Sequence, residues 1–153
     1  MGVSASGKTT IGQLLSKELR FPFYDADDFH PDANLKKMAS GRALDDSDRI
    51  DWLLALNALT KRVSNAVVAC SALKESYRKL LTDNLDRDFH FVYLKGTYDQ
   101  IYDRMIEREG HIMPVSLLQS QFDTLEEPLN ALTVSVELNP QEIIERIMNR
   151  LNP

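Results

Sequence analysis

A single cysteine, Cys70, stands in the 153 residues, so no internal disulfide framework can brace the fold, and the chain suits a reducing compartment such as the cytoplasm. No apolar run approaches the roughly 20 residues of a membrane span, and no secretory signal pattern precedes the first motif, so no membrane partner is expected. A basic excess is missing too. Lys and Arg number 18 against 23 Asp and Glu, a net charge of -5 that disfavours a nucleic-acid surface, where phosphates reward clustered cations. Internal repeats, low-complexity tracts and linkers are lacking, so residues 1–153 read as one domain. What is present, 43% hydrophobic and 27% charged residues, is ordinary for a globular protein with a substantial core.

The most telling absence lies at the start. Gly2-Val3-Ser4-Ala5-Ser6-Gly7-Lys8-Thr9 fits the phosphate-binding pattern of Gly, four residues, Gly-Lys, then Ser or Thr. Such a loop normally hangs from a buried strand, yet only Met1 precedes it. The pattern itself names a nucleoside triphosphate. Successive backbone N–H groups cradle the β-phosphate at a helix N-terminus, Lys8 reaches the β- and γ-phosphates, and the Thr9 hydroxyl ligates Mg²⁺.

Beyond the loop, helical and strand patterns alternate. Ile11, Leu14, Leu15 and Leu19 make a helical stripe over 9–19. Residues 21–24 form a short aromatic strand candidate, 34–39 a short helix ended by Gly41. Asp45, Asp46, Ser47 and Asp48 offer N-caps to a helix through Trp52, Leu53, Leu56 and Leu59. Strands are expected over 66–70, 89–94 and 133–138, and a helix over 74–81. Thr97 and Gln100 form a possible capping box for a helix ending before Gly110. Pro114 suits the first turn of a helix toward Gln121 and Leu125, and Asn139-Pro140 starts the last helix. This alternation predicts an α/β fold, a parallel sheet covered on both faces.

The acidic run Asp25-Ala26-Asp27-Asp28-Phe29-His30 follows a strand's C-terminal end, where open α/β sheets bind ligands. Phosphoryl transfer to an alcohol needs a carboxylate that orients the hydroxyl and accepts its proton. Asp27 is the candidate base and Asp25 the candidate for the Mg²⁺ water shell; a solvated turn capping the next helix would look the same. Arg49 could grip a substrate carboxylate or pair with Asp45, Asp46 or Asp48 on the surface. Arg104 and Arg108 lie four apart on one helical face. They suit a lid that neutralises the transferring phosphoryl group, or exposed pairing with Asp103, Glu107 or Glu109. His111 alone would more often be structural. His30, His90 and Cys70 lack metal-ligand spacing, which argues against zinc.

Together these segments resemble the gluconokinase family of P-loop small-molecule kinases, whose wider group includes shikimate and nucleoside monophosphate kinases. The resemblance rests on the loop, on Phe23-Tyr24-Asp25-Ala26-Asp27-Asp28-Phe29-His30-Pro31, and on Asn34, Lys37-Met38, Gly41, Leu44, Asp46, Asp48-Arg49 and Trp52-Leu53. It continues through Ala69-Cys70-Ser71-Ala72-Leu73-Lys74, Tyr77-Arg78, Arg104, Arg108, Gly110-His111, Met113-Pro114, Leu117-Leu118, Ser120-Gln121-Phe122, Leu125-Glu126 and Pro128. The Cys-Ser-Ala-Leu-Lys and Gly-His-x-Met-Pro blocks are the specific ones.

The resemblance implies a three-layer α/β/α sandwich with strand order 2-3-1-4-5 and ATP- and Mg²⁺-dependent phosphorylation of the C6 hydroxyl of D-gluconate by a cytoplasmic homodimer. Gly2, Val3, Ser4, Ala5, Ser6, Gly7, Lys8, Thr9 and Thr10 would bind nucleotide, with Arg104 against the adenine and Thr9 and Asp25 at the metal. Lys8, Asp27 and Arg108 would be catalytic. Asp27, His30, Arg49, Ser71, Lys74, Arg78 and His111 would meet gluconate, with a lid over about 104–127. Kinases for shikimate- or uridine-like substrates, or a non-catalytic nucleotide-binding protein, are the alternatives.

Two departures from the family carry expectations. Ala5 replaces the usual glycine; if its φ is positive, alanine costs on the order of 1 kcal/mol. The strand before the loop belongs in the middle of the sheet, and without it the neighbouring strands would stand about 10 Å apart. The expectation is therefore a native chain that begins upstream, with Met1 an internal methionine, or else a shortened chain that folds poorly or has lost catalysis.

Overall fold

Helix α1 (Lys8–Leu19) springs from the loop, and strand β1 (Phe23–Asp25) returns beside it in the computed structural model, which describes residues 1–107 and 116–151. A 3₁₀ turn (Ala26–Phe29) follows, then α2 (Asp32–Ala39), α3 (Asp46–Arg62), β2 (Val67–Ala69) and α4 (Glu75–Thr82). The second half runs β3 (Val92–Lys95), α5 (Tyr98–Glu107), α6 (Ser116–Thr124), β4 (Leu132–Ser135) and α7 (Pro140–Leu151). Pro114 lies outside the described residues.

Reciprocal caps fix the starts of three helices. Asp45 accepts from the Asp48 N–H at 3.0 Å while Asp48 accepts from the Asp45 N–H at 2.8 Å, a reciprocal box at the start of α3. Thr97 and Gln100 do the same for α5, with the Gln100 oxygen 2.9 Å from the Thr97 N–H. Asn139 and Glu142 open α7, whose first residue is Pro140.

The strands form two parallel pairs. β1 joins β2 in the register Tyr24 to Val68, and β3 joins β4 in the register Tyr93 to Thr133. Between the pairs lies the position of the expected central strand, and the first two residues partly fill it. The Leu94 N–H donates to the Met1 carbonyl at 3.0 Å, and the Gly2 N–H donates to Ser71 O at 3.2 Å. The Met1 amine donates to Val92 O at 2.5 Å. By these bonds Met1–Gly2 lies between β2 and β3, the place of the first strand in the 2-3-1-4-5 arrangement. Beside these two residues is a cavity of about 540 Å³, lined among others by Met1, Ile11, Leu15, Val68, Phe91 and Val92. Burial there pushes the Met1 amine from its ordinary 8.0 down to about 5, with the Lys8 charge acting the same way.

Two apolar clusters flank this seam. Ile11 and Leu15 of α1, Leu94, Ile101, Leu118, Val134 and the Ile143, Ile144 and Ile147 face of α7 pack as one. Trp52, Leu53 and Leu56 of α3 with Cys70, Tyr77 and Leu81 pack as the other. α1 is seated closely on β1: an added Cβ at Gly12 would lie 2.6 Å from Phe23 Cε2. The loop and the acidic run are thereby held at the same end of the structure.

Candidate functional site

The phosphate loop owes its shape to three residues with positive φ: Gly2 at 145°, Ala5 at 58° and Gly7 at 94°. Ala5 therefore adopts the left-handed conformation that glycine suits, and carries the expected strain. Left-handed steps of this kind turn successive N–H groups toward one side and make an anion nest. Gly7 is the N-cap of α1, and a Cβ there would meet no heavy atom within 4 Å outside its own neighbours. The mouth of the loop is thus an open cradle. α1 carries no acidic residue in its first turn, so its positive dipole end is uncompensated. The buried Ser6 hydroxyl is without a hydrogen-bond partner among the described residues. Lys8 Nζ donates to Val3 O at 2.8 Å, curled over the loop it would use to reach phosphate. Thr10 lies exposed on the first turn of α1.

Asp25 ends β1 directly opposite. Its Oδ2 accepts from the Thr9 hydroxyl at 2.7 Å, and its Oδ1 accepts from the Asp27 N–H at 3.1 Å. One side chain thus ties the phosphate loop to the candidate base. The Thr9 hydroxyl and Asp25 carboxylate are hard oxygen donors of the kind Mg²⁺ takes when it keeps several waters and rides on phosphates. Among the described residues no group of three or more His, Cys, Asp or Glu could hold a metal by itself, which such a site does not need.

Asp27 keeps 75% of its side-chain surface accessible, yet protein close on several sides desolvates it and raises its pKa above the ordinary carboxylate value. Lys8 opposes that shift, and Asp25 and Asp28 add to it. A carboxylate so poised is a better proton acceptor than an isolated aspartate. His30 stacks on Trp52 with centroids 4.2 Å apart, and burial followed by the Arg49 charge lowers its pKa to about 4. At neutral pH the ring is uncharged. Its Nε2, 4.0 Å from Asp27 Oδ1, therefore makes no ion pair there. Trp52 is more than core: its indole N–H donates to Ala26 O at 2.7 Å and fixes the acidic run against α3.

A second cavity, also about 540 Å³, opens beside α3 and is lined by Leu44, Asp45, Asp46, Ser47, Arg49, Lys74 and Thr124. Arg49 and Lys74, both expected at the substrate, meet here although 25 residues separate them in the chain. Arg49 donates to the carbonyls of Leu44 and Asp45 and lies 3.4 Å from the Tyr77 hydroxyl. Lys74 Nζ is bound to Asp46. Ser71 is half-buried, its carbonyl taken by Gly2. Arg78 is the residue expected to line the substrate pocket. It is 7% exposed and donates to Ala72 O at 2.9 Å and Leu73 O at 3.1 Å, so it braces the 70–74 turn from behind.

Arg104 donates to the Val136 carbonyl at the end of β4. Arg108 and His111 lie outside the described residues. The helix after them, α6, supplies a residue not expected to be functional. Gln121 accepts from the Ser4 N–H at 2.7 Å and donates to the Ser4 hydroxyl at 3.0 Å, gripping the phosphate loop across 117 residues of sequence. Glu126 likewise accepts from the Glu75 N–H at 2.7 Å and caps α4. The Ser-Gln-Phe and Leu-Glu blocks of the resemblance hinted at Gln121 and Glu126, but not at the bonds they make.

The Shikimate kinase family model matches residues 4–152. A probable gluconokinase of Mus musculus is 42% identical over 174 aligned positions, covering 99% of this chain and 95% of that protein. The thermosensitive gluconokinase of Escherichia coli (strain K12) is 46% identical over 132 positions, covering 84% of this chain and 70% of its own. A solved gluconokinase from Sinorhizobium meliloti 1021 superposes with TM-score 0.90 at 39% identity, over 99% of this chain and 90% of that one. A shikimate kinase from Aquifex aeolicus shares the fold at TM-score 0.66 and 19% identity, over 99% of this chain and 93% of that one. The nearness of the gluconokinases over nearly the full length, beside the looser fold-level match to shikimate kinase, leads to one assignment: the chain belongs to the gluconokinase family of P-loop kinases.

Proposed function

We infer that the chain transfers the γ-phosphoryl group of ATP to the C6 hydroxyl of D-gluconate, giving 6-phospho-D-gluconate and ADP. The observation that carries this reading is the Asp25 bridge, which sets the Thr9 hydroxyl and the Asp27 backbone on the two oxygens of one carboxylate. Phosphate binding and hydroxyl activation are thereby brought to one point.

In this reading Gly2 to Thr10 hold the triphosphate through backbone N–H groups and the α1 dipole. Lys8 leaves Val3 O for the β- and γ-phosphates and offsets charge there as transfer proceeds. Thr9, with Asp25 behind it, would hold Mg²⁺, which when bound supplies charge neutralisation on the phosphates. Asp27 orients the C6 hydroxyl and takes its proton as that oxygen bonds to phosphorus and the bond to the ADP oxygen breaks. Arg49 and Lys74 face the sugar acid, with His30 as an uncharged neighbour. Ser71 belongs to the same turn, and Arg78 supports it. Arg104 against the adenine, and Arg108 and His111 on a lid, complete the assignment by family resemblance. A homodimer in the cytoplasm is part of the proposal, the buried free thiol of Cys70 being suited to a reducing compartment.

Coupled ADP release, measured with gluconate, shikimate and uridine as acceptors, tests this. Turnover should be confined to gluconate, and Asp27→Asn should lower kcat by about 10²- to 10⁴-fold with the fold retained. Turnover of shikimate or uridine in preference to gluconate would overturn the assignment.

A further inference from the structure

We propose that Asp46 holds the seat of the substrate's carboxylate and yields it when the sugar acid binds. This rests on the gluconate reading above. Lys74 Nζ donates to both oxygens of Asp46, at 2.8 and 2.9 Å, and the Tyr77 hydroxyl donates to Oδ1 of the same group. Both cations also lie over the Tyr77 ring, Arg49 Cζ at 5.5 Å and Lys74 Nζ at 5.7 Å from its centroid. An ammonium and a phenol therefore converge on one carboxylate, with the Arg49 guanidinium beside the same phenol, and together they are the donor set a free carboxylate ligand would want. Asp46, the first residue of α3, fills that set from within the chain.

Charge balance makes the exchange necessary. The charged side chains lining this cavity are Asp45, Asp46, Arg49 and Lys74, two of each sign. A monoanion entering it meets no net attraction while Asp46 stays on Lys74. When Asp46 turns to solvent, a cation and a phenol are released to the ligand. Asp46 can turn without moving the backbone, since 64% of its side chain is exposed against 29% of Lys74. An exposed pair of this kind holds only weakly, so a well-placed ligand carboxylate can replace it. Neutral polyols cannot make the exchange, and stray inorganic anions face the same competition. Asp46 is thus a specificity-determining residue: it keeps the seat neutral until a carboxylate arrives with the rest of the substrate.

Asp46→Asn and Asp46→Ala leave the Asp45–Asp48 capping box intact, and each is compared with the wild-type chain by steady-state kinetics and calorimetry. Gluconate, the neutral polyol sorbitol and sulfate are the probes. KM and Kd for gluconate should fall about fivefold, which is about 1 kcal/mol. The kcat should stay within twofold, sorbitol binding should not change, and sulfate should become a competitive inhibitor. A rise in KM for gluconate would overturn the proposal, because Asp46 would then accept a substrate hydroxyl. An unchanged KM would overturn it as well, leaving Asp46 a bystander. If the wild-type chain neither binds nor phosphorylates gluconate, the functional reading fails separately. The seat is then judged by acetate titration followed by NMR: tighter binding to Asp46→Asn upholds it, and equal binding overturns it.

Discussion

In a chain whose first residue is Met1, the buried amine there makes stability depend on pH near neutrality. Its pKa is about 5 in the fold against an ordinary 8.0. Between those values the unfolded chain binds one proton that the folded chain does not, so stability rises with pH. The slope approaches about 1.4 kcal/mol per pH unit well below 8.0 and halves at 8.0, so the rise from pH 6.5 to 8 is about 1.6 kcal/mol. That is a sizeable part of the roughly 5–15 kcal/mol that holds a domain folded. His30, lowered to about 4, gives stability that is lost as pH falls from 6.5 toward 4, so it contributes little between pH 6.5 and 8. Cys70, raised by burial from 9.0 to about 11, favours the folded state less as pH climbs past 9, above that range.

Urea unfolding followed by fluorescence should therefore show its midpoint rising by about 0.8 M from pH 6.5 to 8, for an m-value of about 2 kcal/mol/M. Acetylating the amine removes the titrating group, and the cavity beside Met1 has room for the acetyl methyl. The acetylated chain should be flat over the same range and more stable at pH 6.5. A flat midpoint in the unmodified chain, or an equal slope after acetylation, would refute the reasoning.

Three further outcomes follow from the same geometry. Gln121→Ala removes both bonds to Ser4, and KM for ATP should rise about fivefold with kcat little changed, each lost bond being worth about 0.5–1.5 kcal/mol. Trp52, the single tryptophan, stacks on His30, so acid quenching of its fluorescence should titrate near 4 and vanish in His30→Asn. Ala5→Gly relieves a positive φ of 58° and should raise the unfolding free energy by about 0.5–1 kcal/mol in urea titrations.

What was legible in the sequence was local. The phosphate loop, the Asp45–Asp48, Thr97–Gln100 and Asn139–Glu142 caps and the α1 stripe are each set by residues a few positions apart. Strand limits were less legible, because a partner sets them. Residues 89–91 look like strand, yet Phe89 is half exposed, and β3 starts only at Val92, where Leu132 and the Met1 amine meet it. β4 stops at Ser135, short of the expected 138, because Lys95 O takes the Val136 N–H as the last rung. Long-range polar pairings were the least legible. Nothing in the spacing of Asp46 and Tyr77, or of Ser4 and Gln121, announces that they touch. Nor does the sequence announce that Arg78 is buried against the carbonyls of Ala72 and Leu73.

Gly12 gives the active geometry an unexpected custodian. A methyl group there would stand 2.6 Å from Phe23, well inside the 3.4 Å at which ordinary contact begins, and could be relieved only by moving α1 off β1 or Phe23 out of its place. Thr9 is borne by that helix and Asp25 by that strand, so their 2.7 Å contact would be stretched by the same displacement. Misplacement on the order of 1 Å can cost about 10²-fold in rate. Gly12 acts as a gauge block for the catalytic gap, and a screen for folded but inactive variants should recover it and Phe23 alongside the residues that touch phosphate.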